Sequence, residues 1–186
     1  MGIRTDKLNA SFRAFIEDQF MFFVATAAPT GRVNMSPKGM DSLRVMSDSQ
    51  IIWLNATGSG NETAAHVAQS PRMTLMFSSF QEEPLTLRTY GTAKVLHPRD
   101  TEWKALFALF PDYASARNIF VLDIDLVTTA CGTSVPEMTM KRNRADTDID
   151  PFYAAMGADG LNDYWQRKNS KSIDDFETGI FCDIKE

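Results

Sequence analysis

The chain has 186 residues, of which 44% are hydrophobic and 23% charged. That composition excludes disorder as the main state, and the length allows a core that needs no staples. Lys and Arg number 19 against 24 Asp and Glu, for a net charge of −5, which argues against a general nucleic-acid binder because such a protein needs a basic surface.

Residues 6–19 read as an amphipathic helix. Leu8, Phe12, Phe15 and Ile16 share one face at a period of 3.6, with Thr5 or Asp6 as cap. Residues 21–28 then read as a strand that ends at the turn signal Pro29-Thr30-Gly31. With residues 32–36 it makes a hairpin closed off by Pro37. A second pair is expected from 43–46 and 51–54, a third strand from 72–79, a long fourth from 85–96 bent at Gly91, and a last one from 119–127. In that last strand Asp123 and Asp125 mark the wet face. Helices are expected from about Gly60 to Gln69, stopped by Ser70-Pro71, and from about Asp100 to Phe110. Past Cys131 the character changes: 141–150 reads as a polar loop and 151–168 as one or two short helices weakened by Gly157 and Gly160. Short strands at close spacing with few helices predict a mainly β barrel or sandwich with flanking helices rather than βαβ units.

Cysteine and histidine chemistry is sparse. The two cysteines, Cys131 and Cys182, form no CxxC, and His66 and His97 form no HExxH, so no metal site is expected. Two free thiols in a reducing cytoplasm are preferred over a disulfide. The N-terminus has no apolar signal region, and the longest apolar stretch, 20–28, is too short to span a bilayer. A cytoplasmic chain without membrane or nucleic-acid partners is expected.

Three segments carry candidate chemistry. Residues 53–63 lead from a strand into a helix through Gly58-Ser59-Gly60. Glycines permit close ligand approach, and the helix start offers N–H groups to an anion. The competing possibility is a capping box, Ser59-x-x-Glu62, which would consume those same N–H groups. In Asn34-Met35-Ser36-Pro37-Lys38-Gly39 the Ser36 hydroxyl and Lys38 ammonium suit phosphate, although a strand-end lysine is also simply solvated. Arg88, in mid-strand among apolar neighbours, wants an anion from the protein or from a ligand. No GxSxG motif is present, and no side chain stands out as a general acid or base, so the catalytic group is left open.

In order along the chain, these segments resemble the split-barrel flavoproteins of the pyridoxamine 5′-phosphate oxidase family. The likeness runs from about Ile16 to Val127: Phe23-Val-Ala-Thr-Ala, Gly31-Arg-Val-Asn-Met-Ser-Pro-Lys-Gly, Ile52-Trp-Leu-Asn, Gly-Ser-Gly-Asn-Glu-Thr, Ser70-Pro-Arg-Met-Thr-Leu-Met-Phe and Leu-Arg-Thr-Tyr-Gly-Thr-Ala-Lys-Val. Asn61-Glu-Thr-Ala-Ala-His and Cys131-Gly-Thr-Ser-Val-Pro look like an uncharacterised branch of it. The resemblance implies one six-stranded split-barrel domain of Greek-key type, the barrel at about 16–130 and an extension at 131–186. It further implies a homodimer that binds FMN at its interface and an FMN-dependent oxidoreductase acting on a small molecule.

Carried over by position, Lys38 contacts the flavin phosphate or ring, with Asn34, Met35 and Ser36 along its edge. Trp53, Leu54 and Asn55 lie beside the ring, and Ser59, Asn61, Glu62 and Thr63 form the phosphate segment. The family's Ser-Arg-Lys stands here as Asn61-Glu62-Thr63, so the cations must come from Arg88 or from the tail. The oxidase's C-terminal substrate motif is absent, which argues against pyridoxamine phosphate as substrate. Alternatives are a non-catalytic flavin or haem module, with His66 or His97 as haem ligand, and a deazaflavin-dependent reductase, whose acidic cofactor tail would favour a basic groove. The acidity is not uniform. Residues 31–99 carry a net +2 and residues 100–186 a net −7, so the segment expected to hold a phosphate is mildly basic.

Overall fold

The structure, a computed structural model, describes residues 2–181. A short strand β1 (Arg4–Thr5) precedes helix α1 (Ala10–Glu17). Asn9, rather than Thr5 or Asp6, caps α1, its side chain accepting from the Phe12 N–H at 2.8 Å. Thr5 is unavailable because it pairs with Val127 in the sheet. The helix turns Phe12 and Ile16, together with Leu8 just before it, into the core.

Strands β2 (Phe22–Thr26) and β3 (Asn34–Lys38) form the expected hairpin. Pro37 does not end β3 but sits inside it opposite Phe23. This is tolerated because β3 is an edge strand and needs no N–H on its free side. After these come β4 (Leu43–Ser47), β5 (Gln50–Ala56), α2 (Glu62–Gln69), β6 (Arg72–Ser78), β7 (Leu85–Leu96), the one-turn helix α3 (Trp103–Phe107) and β8 (Ala116–Cys131).

All pairings are antiparallel, in the order β3-β2-β6-β7-β8-β5-β4, with β1 added beside β8. The sheet curls around one interior built by Phe22, Val24, Ile51, Trp53, Leu75, Leu87, Phe120 and Leu122. Across the seam, Lys38 of β3 reaches Asn55 of β5. This is a split barrel, but with eight strands among the described residues rather than six. The 16-residue β8 is long enough to pair with β7 along its length, with β5 over its first half and with β1 near its end.

Strand β5 and the first half of β8 are buried on both faces, which is why Ile51-Ile52-Trp53-Leu54 and Ile119-Phe120-Val121-Leu122 read as unbroken apolar runs. Their second face packs with Leu96 and Phe110 against Trp103, Leu106 and Phe107. Gly91 bends β7 as expected, at a register shift opposite β8. A Cβ there would lie 1.9 Å from the Asp123 carbonyl oxygen. The face carrying Asp123 and Asp125 is exposed, as expected.

Beyond residue 131 the polar loop is shorter than expected. A π-helical turn (Ala145–Ile149) runs into helix α4 (Asp150–Lys168), which breaks at Gly157 with φ of 69°. Asp150 ties this segment to the barrel by accepting from both the N–H and the hydroxyl of Ser115. Residues 169–181 then fold back, and Arg99 donates to the carbonyls of Gly179 and Ile180. Cys131 is exposed and free, and its possible partner Cys182 lies outside the described residues. Among the described residues no helix is long and apolar enough to cross a membrane.

Candidate functional site

Alternation along β3 decides which of its residues share a face. Asn34, Ser36 and Lys38 turn inward, and Met35 and Pro37 turn outward, because Ser36 pairs with the fully buried Val24. Lys38 extends to Asn55 Oδ1 at 3.2 Å and lies 5.4 Å from the centroid of the Trp53 ring. Asn55 in turn donates to Asn118 Oδ1 at 2.9 Å. Trp53 is wholly enclosed and stacked on Phe120, so it supports Lys38 from the core rather than facing a cleft. The Ser36 hydroxyl, the Trp53 indole N–H and the Asn118 amide nitrogen are buried here without protein partners.

A second cation lies close by. Arg117, 2% exposed, heads β8 and donates to the Gly58 carbonyl at 3.2 Å. Among the described residues neither Lys38 nor Arg117 has a carboxylate ion-pair partner. Desolvation, assisted by repulsion from Arg117, lowers the Lys38 pKa to about 8, and desolvation lowers that of Arg117 to about 10. Glu62 is the one carboxylate whose field favours both charges.

The Thr57–Gly60 loop separates two grooves. One, of about 500 Å³, contains Lys38, Leu54, Asn55 and Gly58 and is roofed by Met140, Arg142, Arg144 and Ile149. Its lining holds three cations and no carboxylate. The other, of about 580 Å³, contains Asn34, Met35, Ser59, Glu62 and His66, with Arg32, Lys168 and Lys171 on its rim. Both volumes suit small-molecule sites.

Helix α2 begins without the capping box. Its N-cap is Asn61, which makes no side-chain cap bond, and Ser59 stands outside the helix. The Asn61 amide is drawn away to the Asn169 carbonyl at 3.2 Å. Thr63 accepts from Asn34 at 3.1 Å, which links β3 to α2.

Arg88 is not brought to this cluster. It pairs with Met76, which pairs with Phe23, which pairs with Pro37; that row lies on the outer face of the barrel. Its half-buried position is reached without an ion pair among the described residues.

The structure also adds residues that the sequence reading passed over. Arg117-Asn118 at the head of a continuous apolar run was a legible signal, since polar groups entering a doubly buried strand need a purpose. Asn169 gave none, because Lys-Asn-Ser-Lys reads as a solvated stretch. Yet Asn169 is fully buried, donates to the Gly58 carbonyl at 2.9 Å, and receives the Thr178 hydroxyl on its own carbonyl. Trp165 adds a bond from its indole N–H to Thr57 Oγ1 at 2.9 Å. The C-terminal segment therefore grips the loop between the grooves.

Comparison with known proteins agrees with this geometry. The sequence profile of pyridoxamine 5′-phosphate oxidase matches residues 8–131. The pyridoxamine 5′-phosphate oxidase family protein ustO of Aspergillus flavus is 29% identical over 190 aligned positions, covering 94% of this chain and 76% of its own. The similarity to ustO thus extends well past the barrel. Two solved structures share the fold. A single-substitution variant of HupZ from Group A Streptococcus has a TM-score of 0.55 at 19% identity, covering 66% of this chain and 99% of that one. A candidate pyridoxamine 5′-phosphate oxidase from Lactobacillus delbrueckii has a TM-score of 0.53 at 24% identity, with coverages of 66% and 94%. With two thirds of its length matched by the family profile and the split barrel in place, the chain belongs to the pyridoxamine 5′-phosphate oxidase family.

Proposed function

We propose that this protein binds FMN and is an FMN-dependent oxidoreductase acting on a small molecule. The observation that carries the reading is Lys38, a largely desolvated cation with no carboxylate partner at the head of a groove that contains no acid. Such a charge is costly unless an electron-rich ligand completes it. The surrounding polar atoms fit the same ligand. Ser36 and Asn118 each bury an unpartnered polar atom on the inward faces of β3 and β8. A flavin presents several carbonyl and ring-nitrogen acceptors together with a flat apolar body.

Lys38 would hold the ring's electron-rich edge, Asn55 would fix the direction of the ammonium, and the loop through Gly58 would divide ring from phosphate. When bound, the flavin supplies the redox chemistry, and the protein's part is placement, electrostatics and exclusion of water. Met140 and Ile149 supply the apolar roof for that exclusion, and Arg142 and Arg144 favour an anionic substrate. The partner is a second copy of the chain. Val33 and Met35 stand 76% and 59% exposed beside the groove, on the outer face that also carries Phe23 and Met76.

The decisive test is the visible spectrum of the purified protein, with mass spectrometry of whatever heat releases. Flavin bands with FMN released support the reading. A Soret band that disappears on His66→Ala overturns it in favour of haem. Titration of the flavin-free protein gives the second measurement, in which Lys38→Ala weakens FMN binding by about 1–3 kcal/mol, the range for a charge-assisted contact. Unchanged affinity removes Lys38 from the site. A monomeric mass by light scattering removes the dimer.

A further inference from the structure

The family's phosphate segment carries no cation in this chain, and the larger groove shows where replacements stand. We propose that this groove is a phosphate-monoester subsite whose positive charge is supplied in cis by the C-terminal segment, through Lys168 and Lys171, with Arg32 beside them. The proposal deepens the flavin reading and rests on it for the identity of the phosphate, that of FMN.

Four observations converge. First, the lining brings three cations against the single carboxylate of Glu62. Two of those cations come from residues 100–186, whose net charge is −7, so their placement runs against local composition.

Second, their position is fixed rather than incidental. Asn169 lies between the two lysines in sequence and is fully buried, anchored to the Gly58 carbonyl and to the Asn61 amide. That anchor holds the backbone of both lysines at the groove, while their side chains stay exposed.

Third, His66 lines the same groove and is 1% exposed, and its Nε2 is buried without a protein partner. Its Nδ1 lies 3.1 Å from Thr26 Oγ1, and that oxygen faces the Asn34 amide at 3.5 Å. An accepting Thr26 oxygen leaves its own proton for Nδ1, so the neutral ring carries its proton on Nε2, the donor a phosphate oxygen requires.

Fourth, α2 presents its first turn to this groove without a side-chain cap. Its leading N–H groups and dipole favour an anion.

Lys171 has a weak competitor, an exposed pair with Glu177 at 3.5 Å. Arg32 is held more firmly, by an Asp174 carboxylate that is 10% exposed and also accepts the Arg32 backbone N–H at 2.7 Å, so the lysines supply most of the available charge. A phosphate dianion brings more charge and three acceptor oxygens. Glu62 opposes it. A Cβ on Gly60 would lie 2.4 Å from its carboxylate, which places that carboxylate against the loop a phosphate would approach. The proposal therefore predicts effects of opposite sign for the lysines and for Glu62, which a purely structural role would not produce.

The test compares FMN with riboflavin, which differ only in the phosphate. Dissociation constants are measured by flavin fluorescence on the full chain freed of bound flavin. The forms are wild type, the Lys168→Gln/Lys171→Gln double variant and Glu62→Gln. Wild type should prefer FMN, and the double variant should lose about tenfold or more of FMN affinity with riboflavin affinity unchanged. Glu62→Gln should raise the preference for FMN. An unchanged FMN-to-riboflavin ratio in the double variant overturns the proposal. If wild type binds neither flavin, the flavin reading falls, and inorganic phosphate then tests the groove alone by thermal shift. A rise in melting temperature in wild type that the double variant lacks supports the subsite, and equal rises, or none, overturn it. Both lysines are exposed, so equal melting temperatures without ligand are expected and serve as the folding control.

Discussion

If Lys38 is a strained cation held for a ligand, removing its charge should make the flavin-free protein more stable. Lys38→Met keeps the length and apolar bulk of the stem and deletes the charge. Desolvation and Arg117 lower the Lys38 pKa from 10.5 to about 8, a gap worth about 3 kcal/mol at neutral pH. Against this stand the hydrogen bond to Asn55, whose loss costs about 1 kcal/mol, and the contact with the Trp53 ring, about 1 kcal/mol. The variant should therefore gain about 1 kcal/mol at pH 7.

The sign with pH follows from linkage. Below pH 8 the lysine is charged in both states, and the folded state bears the whole penalty. Between about 8 and 10.5 the folded form sheds its proton first, so the unfolded chain binds more protons and wild-type stability rises with pH. The advantage of Lys38→Met should shrink across that window and reverse at about pH 9, so that the variant is the less stable form at pH 9.5. Urea unfolding at pH 7 and pH 9.5, with the slope m unchanged, measures both effects. Taking the difference between the two proteins cancels the titrating groups that do not interact with Lys38. A variant that is less stable at pH 7 by an amount independent of pH would refute the idea that this cation is uncompensated. The same variant should bind FMN more weakly, a trade of function for stability.

Other substitutions probe the supporting frame. Gly91→Ala forces a Cβ to within 1.9 Å of the Asp123 carbonyl oxygen; it should cost about 3 kcal/mol or more, read as a lowered melting temperature or loss of soluble protein. Asn169→Ala removes the donor to Gly58 from a fully buried position, and urea unfolding should show a loss of about 1–3 kcal/mol. Asp150→Ala leaves the Ser115 N–H and hydroxyl without their acceptor. Limited proteolysis should then cut within 132–150 faster than in wild type, while an unchanged rate would show that the extension is held elsewhere.

Much of the barrel was legible. The alternation of Met73, Leu75 and Phe77 gave β6 nearly to the residue, and 85–96 gave β7 with its bend. These strands follow the period-2 rule because one face is buried and the other is not. Strands β5 and β8 extend beyond their apolar runs, since Asn55, Arg117 and Asn118 do not look like core by type. The cap of the first helix differs from the expectation because Thr5, a good cap residue by type, is taken by the sheet. Of the candidate residues, Asn34 meets Thr63 and Lys38 meets Asn55, in two separate pairs, whereas Arg88 lies on the outer face.

The sequence by itself determined the class of fold, the family and the turn between strand and helix that separates the two grooves. These depend on local periodicity and on short motifs, which a single strand or helix carries within itself. Only the tertiary structure decided which cations lie beside the two grooves. Arg117 and the lysines beside Asn169 reach the Gly58 loop from positions 59 and more than 100 residues away in sequence. Lys168 and Lys171 carry no local mark, because what places them at their groove is the buried Asn169 beside them, and the desolvation of Arg117 likewise arises only when the chain closes around it.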